Sequence, residues 1–261
     1  MNLIDKSKNI RRKIIEMAHD SKSAHVGSSL SCVDILTVLY FDILKLEPWE
    51  NRDIFILSKA HGAMALYATL AEIGIINEDL LKGYLKNDGT LPAHLDRFTA
   101  KGVEVSAGSL GHGFNMGLGI AYGFKKRNLK RKVYVLIGDG ESQEGSIWEG
   151  ALFGSKLGLD NFTVILDYNN LQGYGRAKEI CCYEPVRDKW EAFGWNTAIV
   201  NGHDIGALRK AFSEITKKNK PNIIIADTVK GKGVSFMENK LEWHYYIVTD
   251  EHKDKALEEL L

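Results

Sequence analysis

The amino-acid sequence predicts an α/β fold, a doubly wound and mostly parallel sheet with helices on both faces. Short apolar runs rich in β-branched residues alternate with stretches of helical periodicity along most of the 261 residues. A chain of this length that is 44% hydrophobic buries a full core without disulfides or a structural metal. Its four prolines are not clustered and mark no linker. We therefore expect one domain over residues 1–261.

The predicted elements follow in order along the chain. Compact apolar runs predict strands at 54–57, 132–137, 162–166, 195–200 and 222–227. Apolar residues three and four apart predict helices at 10–19, 34–44, 62–74, 78–85, 115–127, 145–157, 184–193 and 205–218. Ser31 followed by Asp34 predicts a capping box at the second helix. The stretches 86–104, 172–183 and 229–249 lack a period, and their Gly, His and Arg residues indicate functional loops.

Composition excludes several classes of protein. The 34 Lys and Arg residues balance 34 Asp and Glu residues, which argues against a nucleic-acid or acidic-membrane surface. The three cysteines, Cys32, Cys181 and Cys182, match neither a disulfide framework nor a zinc-ligand spacing. The N-terminus has no apolar leader, and no segment is long and apolar enough to span a membrane. These features predict a protein of the reducing cytoplasm, without a nucleic-acid or membrane partner.

One motif carries chemistry at the ends of two neighbouring strands. Gly138-Asp139-Gly140 ends the second strand, and Asn169-Asn170 ends the third. A right-handed crossover places both ends at one edge of the sheet, so Asp139 and Asn169 converge there. With the carbonyl of Leu171 they form an oxygen donor set that suits Mg²⁺ or Ca²⁺. The glycines allow close approach to a phosphate, with the amides of the helix near Gly145 facing it, although a tight turn without ligand is the alternative.

This unit resembles the thiamine diphosphate motif. The stretch from Gly138 to Gly145, followed by Trp148-Glu149, is similar to the version found in transketolases. Further stretches follow the transketolase N-terminal pattern in the same order: Ser23-Ala24-His25-Val26-Gly27, Ser58-Lys59-Ala60-His61, Leu91-Pro92-Ala93-His94, Gly108-Ser109-Leu110-Gly111 and Trp243-His244. Because the matches extend through the whole chain, the resemblance is more specific than any single motif.

The resemblance implies roles for individual residues. The metal ligands would be Asp139, Asn169 and the carbonyl of Leu171. The diphosphate and thiazolium contacts would come from His61, Gly108, Ser109, Leu110, Gly138, Gly140, Asn169 and His244. Glu144 would lie at the subunit contact beside the cofactor. His25 and His244 would transfer protons and contact substrate, and His94 would touch the carbon-1 hydroxyl of the donor. Imidazole suits proton transfer on sugar hydroxyls near neutral pH.

Two departures from the family pattern bear on the substrate. Ala24, Ala60 and Ala93 replace the glycine that commonly precedes each motif histidine. If those positions require a positive φ, alanine is strained there. Tyr245-Tyr246 follows His244 in place of the usual glycine. These changes suggest a transketolase-like enzyme with an altered donor or acceptor, and the sugars themselves cannot be identified from this chain.

The resemblance also implies that two transketolase domains belong to a separate chain. Full-length transketolases continue into pyrimidine-binding and C-terminal domains, for which this sequence of 261 residues has no room. We therefore expect the N-terminal subunit of a split transketolase, which transfers a two-carbon ketol unit from a ketose to an aldose. It would require thiamine diphosphate, a divalent metal and a separate C-terminal subunit in an α2β2 assembly. The active site would lie at their interface, and this chain alone would be nearly inactive.

Three other readings remain open. The α chain of a 2-oxo-acid dehydrogenase component shares the Gly-Asp-Gly and Asn-Asn ends, but His25, His61 and His94 favour a transketolase. Deoxyxylulose-phosphate synthase has a similar histidine-containing turn to Gly111-His112-Gly113, but it is a single longer chain. A scaffold protein that kept only the fold is disfavoured by the intact Asp139, and metal-dependent cofactor binding would discriminate it from an enzyme.

Overall fold

The computed structural model describes residues 2–261, which form one parallel five-stranded sheet between two layers of helices. The strands follow the spatial order β1-β2-β3-β5-β4, and every neighbouring pair is parallel. They are β1 (Ile54–Leu57), β2 (Val133–Gly138), β3 (Phe162–Tyr168), β4 (Asn196–Asn201) and β5 (Asn222–Asp227). All five predicted strands are confirmed, with bounds that differ by at most two residues.

The helices cover both faces of this sheet. They are α1 (Leu3–Ser21), α2 (Val26–Ser31), α3 (Val33–Val38), α4 (Ala63–Glu72), α5 (His112–Lys126), α6 (Gly145–Lys156), α7 (Ala177–Ile180), α8 (Val186–Ala192), α9 (Ile205–Glu214) and α10 (Asp250–Glu259). Short 3₁₀ helices occupy Trp49–Asn51, Ala60–Gly62, Glu78–Gly83, Glu141–Gln143 and Leu241–His244, and Leu39–Ile43 is one π-helical turn. None of the helices described is long and apolar enough to cross a membrane.

The helix predictions differ from the structure at several places: the predicted helix 78–85 is a 3₁₀ helix, and α2, α7 and α10 were not predicted. The expected helix 34–44 is instead the short α3 followed by a π-helical turn. Its predicted cap fails because the hydroxyl of Ser31 donates to the buried carboxylate of Asp167, at 2.5 Å. The C-terminal helix α10 was not predicted, since its charged sequence has a weak apolar stripe. A capping box between Thr249 and His252 starts it.

Alternate residues along the strands contribute side chains to two separate apolar cores, one on each face of the sheet. Phe55, Tyr134 and Ile165 pack with α1, α3 and α4 on one face. Val135 and Val164 pack with α5, α6 and α8 on the other face, where the Trp190 and Trp195 ring centroids lie 4.8 Å apart. The central strands are buried on both faces and almost entirely apolar, as is usual in parallel sheets, and their carboxyl ends form one edge of the sheet.

The strand register places the two predicted polar ends side by side. Gly138 at the end of β2 is the register partner of Asp167 in β3. Asp139 therefore leaves β2 next to the point where Asn169 leaves β3. The chain between them runs through α6, which confirms the predicted strand, crossover helix and returning parallel strand.

A buried ionic network ties α1 and α3 to a loop after β5. The guanidinium of Arg11 donates to both oxygens of Asp34, at 3.0 and 2.7 Å. His203 Nδ1 lies 2.8 Å from the same carboxylate, and His203 Nε2 accepts from the amide of Val229. Arg11 Nε also donates to the carbonyl of Lys232. This network fixes the segment that carries Lys230 into the site.

The substitution Asp34→Ala tests how much this network contributes to the stability of the fold. We expect it to lower the free energy of unfolding by about 3–5 kcal/mol, because it leaves the guanidinium of Arg11 buried without its partner. Urea denaturation of wild type and variant at neutral pH measures the difference. Burial raises the pKa of Asp34, but hydrogen bonding to His203 and the charge of Arg11 lower it to about 2. The effect should therefore persist above about pH 4 and fade as the pH falls toward that value.

The matched control is Asp42→Ala. Asp42 pairs with Arg209 at the surface, where the arginine side chain is 56% exposed. Exposed pairs contribute about 1 kcal/mol or less, so this variant should remain close to wild type. Equal losses in the two variants would contradict the role assigned to the Arg11–Asp34 pair.

Candidate cofactor site

A cavity of about 290 Å³ opens at the carboxyl edge of the sheet. It lies where ligands of doubly wound sheets bind. The structure brings together most of the predicted site residues in its lining: His25, His61, His94, Gly108, Leu110, Gly138, Asp139, Gly140, Asn169, Leu171 and His244. A Cβ at Gly140 would lie only 3.1 Å from Gln172 Oε1, so glycine permits the close packing of the two strand ends.

Three predicted contributions lie outside this lining. Ser109 is exposed, and its carbonyl accepts a hydrogen bond from the amide of His112. Glu144 is exposed as the N-cap residue of α6. Its location at a subunit contact stays a prediction. Gly145 does not line the cavity because the 3₁₀ turn Glu141–Gln143 intervenes, so the expected contribution of the α6 amides is not supported.

Four histidines meet at the mouth of the cavity. The ring centroid of His25 lies 4.9 Å from that of His244, 5.4 Å from that of His61 and 6.4 Å from that of His94. Burial, together with the nearby His94 and Lys230, lowers the pKa of His25 to about 4. Burial and Lys230 lower the pKa of His244 to about 3. Both imidazoles are therefore neutral at physiological pH, but Nδ1 of His244 faces the ammonium of Lys230 at 2.8 Å, which leaves its Nε2 as the N–H donor.

His25 itself has the left-handed backbone conformation in this region. Its φ is 72°, whereas Ala24, Ala60 and Ala93 have no positive φ. The conformation is held from both sides, because the amide of His25 donates to the carbonyl of His244 and its own carbonyl accepts from Ser29. The strain expected for the alanines is therefore absent, and any strain in this segment falls on His25.

Asp139 is a buried carboxylate without a partner. It is 3% exposed, and neither of its oxygens accepts a hydrogen bond from the residues described. Burial and the neighbouring charge of Asp167 raise its pKa to about 8, partly offset by Lys59 and the nearby amides of Asn169 and Asn170. With this raised pKa the carboxyl is mostly protonated at neutral pH, and ionising it in place requires a counter-ion. A bound divalent cation would supply one, so Asp139 fits the predicted metal site.

The other predicted metal donors stand beside it. Asn169 Oδ1 accepts the amide of Leu171 at 3.1 Å, which turns the chain at the end of β3. Asn170 then adopts the left-handed conformation, with φ 58°. Within residues 2–261 no group of three His, Cys, Asp or Glu side chains could hold a metal. One carboxylate, one amide oxygen and one carbonyl nevertheless match a hard cation that retains water and phosphate ligands.

A buried ion pair lies beneath this donor set, and sequence reasoning missed it. Lys59 Nζ lies 2.5 Å from Asp167 Oδ2, and both side chains are almost fully buried. Asp167 also accepts from the hydroxyls of Ser31 and Thr228. Burial opposes both charges, but their attraction raises the pKa of Lys59 and, with these hydrogen bonds, lowers that of Asp167. A charged residue inside the apolar run of β3 was the available signal.

Two further charged groups in the site were also missed. Glu141 accepts from the hydroxyl of Ser58 and, at 2.9 Å, from the amide of Gly111, and burial raises its pKa to about 7. Lys230 Nζ lies 2.8 Å from His244 Nδ1 and donates to the carbonyl of Leu171. Burial and the charge of Lys59 lower its pKa to about 8. Lys230 therefore adds an ammonium beside the predicted metal ligands.

The sequence of this chain matches a known protein family. The family model described as "Transketolase, thiamine diphosphate binding domain" matches residues 5–258. The chain is 44% identical to an apulose-4-phosphate transketolase subunit from Actinobacillus succinogenes, over 98% of this chain and 94% of that protein. It is 39% identical to the 6-deoxy-6-sulfo-D-fructose transketolase subunit SqwG of a Clostridium species, over 96% of this chain and 93% of that protein.

Solved structures show the same fold in longer chains. The transketolase of Campylobacter jejuni superposes with a TM-score of 0.92 at 31% identity, over 100% of this chain and 43% of that chain. The present chain thus spans less than half of that solved transketolase, but nearly all of the two relatives that are named as subunits. The chain belongs to the transketolase family and corresponds to its thiamine diphosphate-binding domain.

Proposed function

We propose that this chain is the cofactor-anchoring subunit of a two-subunit transketolase. The reaction moves a two-carbon ketol unit from a ketose to an aldose, which leaves an aldose two carbons shorter and a ketose two carbons longer. When bound, thiamine diphosphate supplies the chemistry that breaks the carbon–carbon bond. The buried and unpartnered carboxylate of Asp139 below the four histidines is the observation that carries this proposal.

In this proposal the floor of the cavity holds the diphosphate end. Asp139, Asn169 and the carbonyl of Leu171 would bind the divalent cation, Mg²⁺ or Ca²⁺. His61 and the turn Gly108 to Leu110 would border the phosphates. Lys230 would add a positive charge on the same side, since its ammonium already lies against the carbonyl of Leu171. Proteins commonly bind phosphate oxygens through positively charged groups such as a metal ion and a lysine ammonium.

The histidines would act on the sugar. His25 and His244 are neutral at physiological pH because their pKa values are lowered to about 4 and about 3. His25 can therefore accept a proton from a hydroxyl beside the reacting carbon and return it later. His244, whose Nδ1 faces the ammonium of Lys230, would contact the substrate through its Nε2–H and pass on that proton. His94 is more exposed and would orient the carbon-1 hydroxyl. Glu144, exposed next to the site, would contact a neighbouring subunit.

The assembly would contain a separate C-terminal subunit, in an α2β2 arrangement. Support comes from relatives of nearly the same length that are named as transketolase subunits. We place the enzyme in the reducing cytoplasm, since Cys32, Cys181 and Cys182 are all free. The named substrates of those relatives, apulose 4-phosphate and a sulfofructose, are the first donors to test here.

Mixing the two subunits tests whether this chain requires a separate C-terminal subunit for activity. We expect turnover only when this chain is mixed with its C-terminal partner, thiamine diphosphate and Mg²⁺, because this chain would supply only part of an interfacial site. The assay measures product formation from a panel of ketose donors, including those two sugars, and aldose acceptors. The controls contain only one of the two chains. Full activity of this chain by itself, or inactivity of the mixture together with a failure to bind thiamine diphosphate, would contradict the proposal.

Asp139→Asn tests the metal site. In the reconstituted complex, we expect Mg²⁺-dependent binding of thiamine diphosphate to weaken by at least about 100-fold, since the only carboxylate of the donor set is lost. Isothermal calorimetry measures the affinity. The variant should fold, because Asn resembles the uncharged form of this buried side chain, and thermal denaturation without metal checks that.

Asp160→Asn is the matched control, since Asp160 precedes β3 at the opposite edge of the sheet. It should bind cofactor as wild type does. If Asp139→Asn kept wild-type affinity and metal dependence, the metal ligand set would be wrong.

His25→Asn tests proton transfer. Asparagine tolerates the left-handed conformation at this position better than alanine does, so the substitution removes the imidazole without added backbone strain. We expect kcat/KM to fall by about 10²–10⁴, while calorimetry shows little change in cofactor affinity. His112→Asn is the control, because His112 is exposed and lies outside the cavity. Similar losses in both variants, or lost cofactor binding in His25→Asn, would argue against the role.

A further inference from the structure

Two tyrosines form one wall of the cavity mouth, and the functions assigned above do not use them. Tyr245 follows the 3₁₀ helix Leu241–His244, and Tyr174 lies in the loop after β3. Tyr245 is 51% exposed and Tyr174 is 87% exposed, although both line the cavity. Large aromatic side chains at the rim of a polar cavity restrict what can enter it.

The ring of Tyr245 lies next to the groups that would act on the substrate. Its centroid is 4.7 Å from that of His244 and 6.3 Å from that of His25. Atoms that exchange protons with these imidazoles must come within hydrogen-bond distance of them. A substrate carbon chain that continues from the reacting carbon toward this wall would therefore meet the phenol ring.

The loop after β3 approaches the phenol closely. A Cβ on Gly173 would lie 2.5 Å from the Tyr245 hydroxyl and 3.3 Å from His244 Nε2. A side chain at position 173 would therefore collide with the phenol, and the hydroxyl end of Tyr245 would have to move. By contrast, Tyr246 packs against Trp243, with ring centroids 5.9 Å apart, and does not line the cavity.

We infer that Tyr245 is a specificity-determining residue, which limits the length of the sugar beyond the reacting carbon and favours short ketose donors. This inference rests on the proposed ketol transfer. The phenol ring occupies space that a longer carbon chain would need, and the glycine at position 173 leaves room for it there. Steric exclusion at a fixed wall discriminates by size, with effects of about tenfold or more for each misfitting group.

The test compares donors of increasing length in the reconstituted enzyme. We measure kcat/KM for ketose phosphates of five, six and seven carbons, with wild type and Tyr245→Gly. We expect the ratio of the seven-carbon to the five-carbon value to rise at least about tenfold in the variant. Tyr245→Phe keeps the ring and should keep the wild-type ratio. Tyr246→Gly is the matched control and should also keep it.

A three-carbon 3-hydroxy-2-oxo acid, which yields its ketol unit with release of CO₂, serves as the reference donor without a tail. Its kcat/KM should be similar in wild type and Tyr245→Gly. If wild type turns over no donor at all, including this acid, the proposed function fails. If wild type turns over the acid but the length ratio changes less than about twofold in Tyr245→Gly, only the inference about Tyr245 fails.

A binding measurement provides a readout without turnover. Polyol phosphates of five and seven carbons cannot donate a ketol unit, and calorimetry gives their affinities for the loaded complex. Tyr245→Gly should strengthen binding of the seven-carbon polyol relative to the five-carbon polyol, and Tyr246→Gly should not. Equal shifts in both variants, or none in Tyr245→Gly, would overturn the inference.

Gly173→Ala tests whether the ring position depends on this glycine. The added methyl group would displace the phenol, so the length ratio should rise as it does in Tyr245→Gly. Adding Tyr245→Phe removes the hydroxyl that the methyl group meets at 2.5 Å, and the double variant should return toward the wild-type ratio. An unchanged ratio in Gly173→Ala, with the reference donor still turned over, would count against a ring position that depends on glycine at 173.

Discussion

Two carboxylates buried side by side, Asp139 and Asp167, impose the constraint on which the site depends. Asp139 follows the end of β2, Asp167 lies near the end of the neighbouring strand β3, and the charge of each raises the cost of ionising the other. Lys59 compensates Asp167 from within the protein. Asp139 receives no such partner among the residues described. The charge of Asp167 is therefore compensated beneath the cavity, whereas Asp139 at the floor ionises readily only when an added cation compensates it.

Burial also lowers the pKa values of the histidines at this site. Lys59 and Lys230 lie below His61 and His244. Desolvation of the rings and the positive charges of these lysines both disfavour the protonated, positively charged form of each imidazole. A cavity with cations at its floor and neutral imidazoles at its mouth separates two tasks in space. Phosphate binding belongs to the floor, and proton transfer belongs to the mouth. The sheet edge keeps the two levels in register.

Sequence reasoning succeeded where a signal is local and periodic. The β-branched runs located every strand, and the spacing between Asp139 and Asn169 predicted their convergence, because parallel strands joined by a crossover helix must end at one edge. It failed where a side chain hydrogen-bonds to a residue distant in sequence instead of to its local backbone. Ser31 hydrogen-bonds to Asp167 instead of capping a helix. The charged α10 is a helix without a strong apolar stripe. Strain fell on His25 instead of on the alanines before each histidine.

The sequence by itself determined the fold class, the family and most residues that line the cavity, since these depend on periodicity and on motifs of contiguous residues. Only the tertiary structure decided which charges are compensated. Lys59 and Asp167 are 108 residues apart and Gly173 approaches Tyr245 from a separate loop, so no pattern along the chain reveals either contact. Protonation state and cavity shape arise from desolvation and close packing, which are properties of the folded arrangement in space.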